Sequence, residues 1–223
     1  MGNYEYVSKD EVRPYIELFE EVFRKIQKEI KKENGLTFSF ALVGSAKRNL
    51  VVRHHNKGFD CDYQLYLQKN KQELSEEEIK KLLMKKFDEK MPSEYDYCED
   101  STSSITIKKK ITKQSRIVFS YDIVIMDLYE DASYILRKNG SGQYVWNSLP
   151  DFTSFSEDYS QIEGADMWED LRQCYYDKKI DKDNGLQKYK NKKSFQLLHQ
   201  AVKETLSRFN ARGFLSFHKG KCF

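Results

Sequence analysis

Asp60 and Asp62 sit one residue apart in the stretch FDCDYQLYL, and a third acid, Asp122, lies inside the apolar run RIVFSYDIVIM. Along a strand, side chains at i and i+2 share a face. Asp60 and Asp62 therefore point together with Gln64, while Phe59, Cys61, Tyr63, Leu65 and Leu67 point the other way. Two carboxylates a few ångströms apart repel, and one would ordinarily take up a proton. A divalent cation between them removes that cost, and hard oxygen donors suit Mg2+ or Mn2+. In the later run Asp122 shares a face with Ser120, Val124 and Met126, opposite Phe119, Tyr121, Ile123 and Ile125. A charge in so apolar a strand needs a partner or a metal. Asp127 has the opposite parity and is the weaker candidate. Three strand carboxylates can hold two ions, one on a triphosphate and one at an attacking hydroxyl. The competing reading leaves Asp60 and Asp62 on a solvated sheet face and Asp122 capping a turn.

The apolar run LTFSFALV stops abruptly at Gly44-Ser45. A glycine there lets a phosphate approach the backbone, where the following N–H groups and the Ser45 hydroxyl can bind it. Lys47 and Arg48 come next and can offset phosphate charge.

Several elements must hold these residues. Residues 8–33 have apolar side chains at helical spacing, with Ser8 and Glu11 as a capping pair and Asn34-Gly35 as the stop. LTFSFALV reads as a strand, and a basic connection containing LVV leads to the strand FDCDYQLYL. A second helix, SEEEIKKLLMKKFDEKM, carries the capping pair Ser75 and Glu78 and ends at Pro92. Two β-rich runs follow, then a hairpin turning at Asn139-Gly140-Ser141-Gly142. Beyond Pro150 the signals become helical, over 158–178 and 190–211. Before them DFTSFSED reads as a polar loop, and between them DKKIDKDNGLQKYKNKK as a solvated linker. The second of these helices places Phe195, Leu198, Val202, Leu206 and Phe209 on one face and ends before Gly213. The expected architecture is a mixed α/β sheet flanked by helices over 1–150, with a helical C-terminal segment over 151–223 that packs on the cleft.

A strand ending in Gly-Ser, then Asp-x-Asp in a strand, then one Asp among alternating apolar residues resembles the DNA polymerase β-type nucleotidyltransferase superfamily. The resemblance rests on LVGS, FDCDYQL and SYDIVIM and covers roughly residues 38–128. It implies a palm-like sheet, with Asp60, Asp62 and Asp122 as ligands of two Mg2+ (or Mn2+) ions. Asp122 would also activate the acceptor hydroxyl, and Gly44 and Ser45 would hold the phosphates of an NTP. It implies transfer of NMP to an acceptor hydroxyl with release of pyrophosphate. The acceptor is left open, with a small molecule, a nucleotide or a protein favoured. A non-catalytic nucleotide- or RNA-binding module, or a defence- or toxin-type transferase acting on RNA or a partner protein, are the alternatives. One departure is the long connection from Ser45 to Asp60, which contains RHHNKG.

The chain has 223 residues, 39% hydrophobic and 14% aromatic, enough for a real core, and its formal charge of +3 is too small to argue for nucleic acid as the partner. Nucleic acid is possible but not required, and nothing sets the oligomeric state. No apolar run reaches the 18 or so residues that cross a bilayer, and the N-terminus lacks a signal-peptide core, so a cytoplasmic protein is expected. Cys61, Cys98, Cys174 and Cys222 have no paired spacing and are expected as reduced thiols. His54-His55 reads as a surface loop. Lys108, Lys109, Lys110, Lys113 and Arg116 read as a solvated basic turn, with phosphate contact as the alternative. Tyr144, Trp146, Trp168, Tyr175 and Tyr176 are expected in the core rather than stacked on a base, and His199 is expected to be an ordinary helix residue. Asp166, Glu169 and Asp170 are expected on one exposed helix face.

Overall fold

A computed structural model describes residues 4–54, 58–111, 116–129, 132–189 and 191–219. The chain divides into two compact units, Met1–Leu149 and Pro150–Phe223.

The first unit opens with β1 (Tyr4–Tyr6) and α1 (Lys9–Asn34). Ser8 caps α1 by accepting the Glu11 N–H at 3.2 Å, and Gly35 ends it in the left-handed region at φ 62°. Pro14 lies inside α1, in its second turn, where the helix forgoes one i→i−4 hydrogen bond. Then come β2 (Leu36–Val43), the single turn α2 (Gly44–Lys47), β3 (Val52–His54), β4 (Phe59–Asn70) and α3 (Glu76–Lys90). At the start of α3 both halves of the Ser75–Glu78 capping box are formed. The unit closes with β5 (Glu99–Asp100), β6 (Ile105–Ile111), β7 (Arg116–Tyr129), β8 (Ala132–Lys138) and β9 (Tyr144–Ser148).

Strand order in the main sheet is β2-β4-β7-β6-β5, with β9 on β8 and β8 on the far end of β7. β4 and β7 are parallel, and the other neighbouring pairs are antiparallel. The sheet is therefore mixed, as expected. β7 is long enough, at 14 residues, to pair β4 and β6 with its first part and β8 with its last.

Alternation sorts the side chains. Phe59, Cys61, Tyr63 and Leu65 of β4 and Phe119, Tyr121, Ile123 and Ile125 of β7 are all buried, and they form one core with the apolar stripes of α1 and α3. Phe19 of α1 stacks on Tyr121 with ring centroids 3.9 Å apart, and Tyr15 stacks on Phe119 at 4.1 Å. The Tyr121 hydroxyl donates to the Tyr15 carbonyl at 2.8 Å, which ties α1 to the central strand. One face of the sheet is thus filled, and the other carries the acids.

The second unit holds α4 (Thr153–Gly164), α5 (Trp168–Asp183) and α6 (Ser194–Lys219). Here the structure corrects the sequence reading. The expected helix over 158–178 is two helices, broken where Asp166 takes φ 52°, so Asp166 does not share a helix face with Glu169 and Asp170. The expected loop DFTSFSED is helical from Thr153 on, and just ahead of the helix Asp151 Oδ1 accepts the Thr153 N–H at 2.8 Å. The buried face of α6 is Leu197, Leu198, Ala201, Val202 and Thr205, while Phe195 and Phe209 are 40% and 48% exposed. Small residues at 201 and 205 let a neighbouring helix approach, which a count of large apolar side chains does not register. Gly213 lies inside α6 rather than after it. The expected solvated linker also contains a buried lysine, Lys178, paired with Glu204.

Candidate active site

The acids come together at the junction of the two parallel strands. Asp62 of β4 stands directly beside Asp122 of β7, and Asp60 is one row away beside Ser120. One ligand oxygen from each of Asp60, Asp62 and Asp122 lies within 4.8 Å of the others. Asp60 is exposed, and the other two are half-buried. The row continues on both sides, because Val43 of β2 pairs with Asp62 and Thr106 of β6 pairs with Asp122. On the reverse face the Cys61 thiol is pushed up to about 12 by burial first and by the charges of Asp60 and Asp62 second, so it stays protonated.

Gly44 follows Val43 with φ 67°. Its position is set by its own chain, for a Cβ there would come within 2.0 Å of Asp62 Oδ2. The turn after it is tied down by Leu50 N–H to the Ser45 carbonyl at 2.9 Å and by Arg48 Nη1 to the Gly44 carbonyl at 3.2 Å. Ser45 is half-buried in this turn, and Lys47 is exposed. Lys47 borders a cavity of about 260 Å3 with Val12, Arg13, Ile16 and Leu42. Leu42 pairs with Tyr63, so this cavity belongs to the helix side of the sheet rather than the acid side.

Asp122 is held by hydroxyls. Thr106 Oγ1 donates to Asp122 Oδ1 at 2.5 Å, and Ser104 Oγ lies 3.5 Å from the same oxygen. Ser101 Oγ is 3.2 Å from Thr106 Oγ1. These residues were not anticipated, although the sequence carries a signal for them. In SSITIK, Ser104 and Thr106 alternate with Ile105 and Ile107, which marks a polar face on a buried strand.

Part of the basic cluster is strand rather than turn. Lys108, Lys109 and Lys110 lie in β6 and pair with Glu99, Glu94 and Asp96, so their charge is locally neutralised. Lys113 lies outside the described residues, and Arg116 opens β7. His54 stacks on Tyr4 at 4.1 Å in β3, and His55 lies outside the described residues. Tyr175 is buried, Tyr144, Trp146, Trp168 and Tyr176 are half-buried, and His199 packs on Phe155. Cys61, Cys98 and Cys174 are free thiols, and Cys222 lies outside the described residues. Among the described residues, no helix is long and apolar enough to cross a membrane.

No family model and no curated protein matches this chain in sequence. Solved structures share its fold. One is Vibrio cholerae DncV in its 3′-deoxy ATP bound form, with TM-score 0.54 and 17% identity, covering 91% of this chain and 53% of that one. Another is the Elizabethkingia meningoseptica CdnE cyclic dinucleotide synthase with GTP and Apcpp, with TM-score 0.51 and 14% identity, covering 82% and 67%. The Bradyrhizobium diazoefficiens CD-NTase CdnG in complex with GTP gives TM-score 0.50 and 14% identity, covering 69% and 42%. One of these neighbours is named as a CD-NTase and another as a cyclic dinucleotide synthase. The chain therefore has a mixed α/β nucleotidyltransferase-like fold, and it spans about half the length of the solved structures it matches.

Proposed function

We propose that the chain is a metal-dependent nucleotidyltransferase. An acceptor hydroxyl oxygen bonds to the α-phosphorus of an NTP, the bridging P–O bond to the β-phosphate breaks, and pyrophosphate leaves. The hydroxyl proton is lost to a base or to water. The observation that carries this reading is the cluster of three carboxylates within 4.8 Å, beside a glycine turn, on a nucleotidyltransferase-like sheet.

The donor set is entirely hard carboxylate oxygen, which fits Mg2+ or Mn2+ and leaves room for phosphate oxygens in the remaining positions. Asp60 and Asp62 would be the shared ligands, with Asp122 the third. Bound there, two such ions supply charge neutralisation at the triphosphate and acidify the attacking hydroxyl. The chain's own contribution is to fix these acids on a rigid sheet, so that catalysis rests on positioning and prearranged charge. Gly44 and Ser45 would face the phosphates, with Lys47 and Arg48 balancing charge nearby. Arg48 also braces the Gly44 carbonyl.

The neighbours bound to GTP or to an ATP analogue support an NTP substrate. A cyclic dinucleotide synthase among them favours a second nucleotide as the acceptor. The test is calorimetric titration of each of the four NTPs, with and without Mg2+, into wild type and Asp62→Asn. Metal-dependent binding that the variant loses is expected. Binding to no NTP, or binding indifferent to metal and to the substitution, overturns the proposal.

A further inference from the structure

We propose that Thr106, assisted by Ser104, is a positioning residue that sets the rotation of the Asp122 carboxylate for metal binding; this rests on reading the three aspartates as a ligand set. A carboxylate on a strand can turn about its last bond, and repulsion from Asp60 and Asp62 drives it to turn away. Something must oppose that. The Thr106 hydroxyl donates to Asp122 Oδ1, and a hydrogen bond to a carboxylate is among the stronger kinds a protein makes. Ser104 reaches the same oxygen from the next position of that face, at 3.5 Å. With Oδ1 held from the β6 side, the plane of the carboxylate is fixed relative to its two neighbours.

Thr106 is well placed to act as a fixed point. It is only 8% exposed, lies directly across the antiparallel pair from Asp122, and carries a β-branched side chain with little freedom at its first torsion. Its hydroxyl is in turn within 3.2 Å of Ser101 Oγ. The Ser101 carbonyl accepts a bond from Lys80 Nζ at 2.7 Å, and Lys80 is 1% exposed and ion-paired to Asp100 at 2.7 Å. A continuous chain of polar contacts therefore runs from α3 through the β5–β6 segment to the third acid. Partners that orient a metal ligand in this way typically change metal affinity by about 10- to 100-fold when removed.

The experiment is titration of Mn2+ alone into the full chain by calorimetry, for wild type, Thr106→Val, Thr106→Ser and Ser104→Ala, with melting temperatures recorded in parallel. Thr106→Val keeps the branched shape and removes the hydroxyl, and it should weaken Mn2+ binding by about tenfold or more. Thr106→Ser should restore binding to near wild type, a rescue that a merely space-filling role would not give. Ser104→Ala, which leaves the buried position untouched, should cost about threefold, and it decides the matter if Thr106→Val does not fold. Wild-type affinity in a folded Thr106→Val, or in Ser104→Ala when it must decide, overturns this inference alone. A wild type that binds no Mn2+ overturns the metal-dependent reading beneath it.

Discussion

The backbone of Gly44 presses directly on the side chain of Asp62. A Cβ at position 44 would stand 2.0 Å from Asp62 Oδ2 and 2.9 Å from its Cγ, and the residue sits at φ 67°. The glycine is therefore required by an acid of the same chain as well as by its backbone conformation, whereas the sequence suggested only close approach by a phosphate. Gly44→Ala should lose about 1–2 kcal/mol from the left-handed backbone, with more from the contact. It should also displace Asp62 and so weaken Mn2+ binding. Urea unfolding and Mn2+ titration of the variant measure the two effects separately.

Asp62→Asn or Asp122→Asn should abolish nucleotidyl transfer and leave the fold intact. Both should also melt at a higher temperature than wild type in metal-free buffer, because each relieves repulsion within the carboxylate cluster. Added Mg2+ should raise the wild-type melting temperature and leave the variants unmoved. Melting curves with and without Mg2+ check this, and a lower metal-free melting temperature in both variants would contradict the repulsion argument.

Acid should expose the Asp100 network. Burial alone would raise the Asp100 carboxyl, but Lys138, Lys80 and the Tyr144 hydroxyl outweigh it and hold the group at about 2. A folded-state value below the unfolded one means the contribution is fully present above the usual value of 3.8 and fades as pH falls toward about 2. Asp100→Asn should therefore flatten the stability curve in that window. Urea unfolding of both proteins between pH 5 and about 2 is the measurement.

Gly58 precedes β4 and lies against β7, where an added Cβ would meet the Val118 carbonyl carbon at 2.7 Å and the Ile117 oxygen at 2.8 Å. Backbone cannot yield as a flexible side chain would. Gly58→Ala should cost about 1–3 kcal/mol by forcing the parallel strands apart, and denaturant unfolding reads it directly.

Much of this was legible along the chain because alternation is a local property. The faces of β4 and β7, the Ser8 cap of α1, the Ser75–Glu78 capping box and the hairpin follow from residues near one another. Other features depend on what lies across a gap in sequence. That Asp62 stands beside Asp122 is a matter of parallel register, and that Thr106 holds Asp122 needs β6 to dock on the other side. The break at Asp166 and the turned face of α6 were missed for other reasons. The break is a backbone turn at Asp166 that no apolar spacing marks, and the α6 face rests on Ala201 and Thr205, which a count of large apolar side chains passes over.

The pairing of β7 between β4 and β6 also bears on how the sheet finds its alignment. A slip of β7 by a single residue would turn Asp122 from the acid face to the aromatic one, toward the layer that holds Phe19 and Tyr95. Burying that charge among rings would cost several kcal/mol, while Phe119 and Tyr121 would be driven out into water. The same carboxylate that strains the finished site against Asp60 and Asp62 thus makes the neighbouring misalignment far costlier, and the acid face acts as a proofreader while the strands assemble.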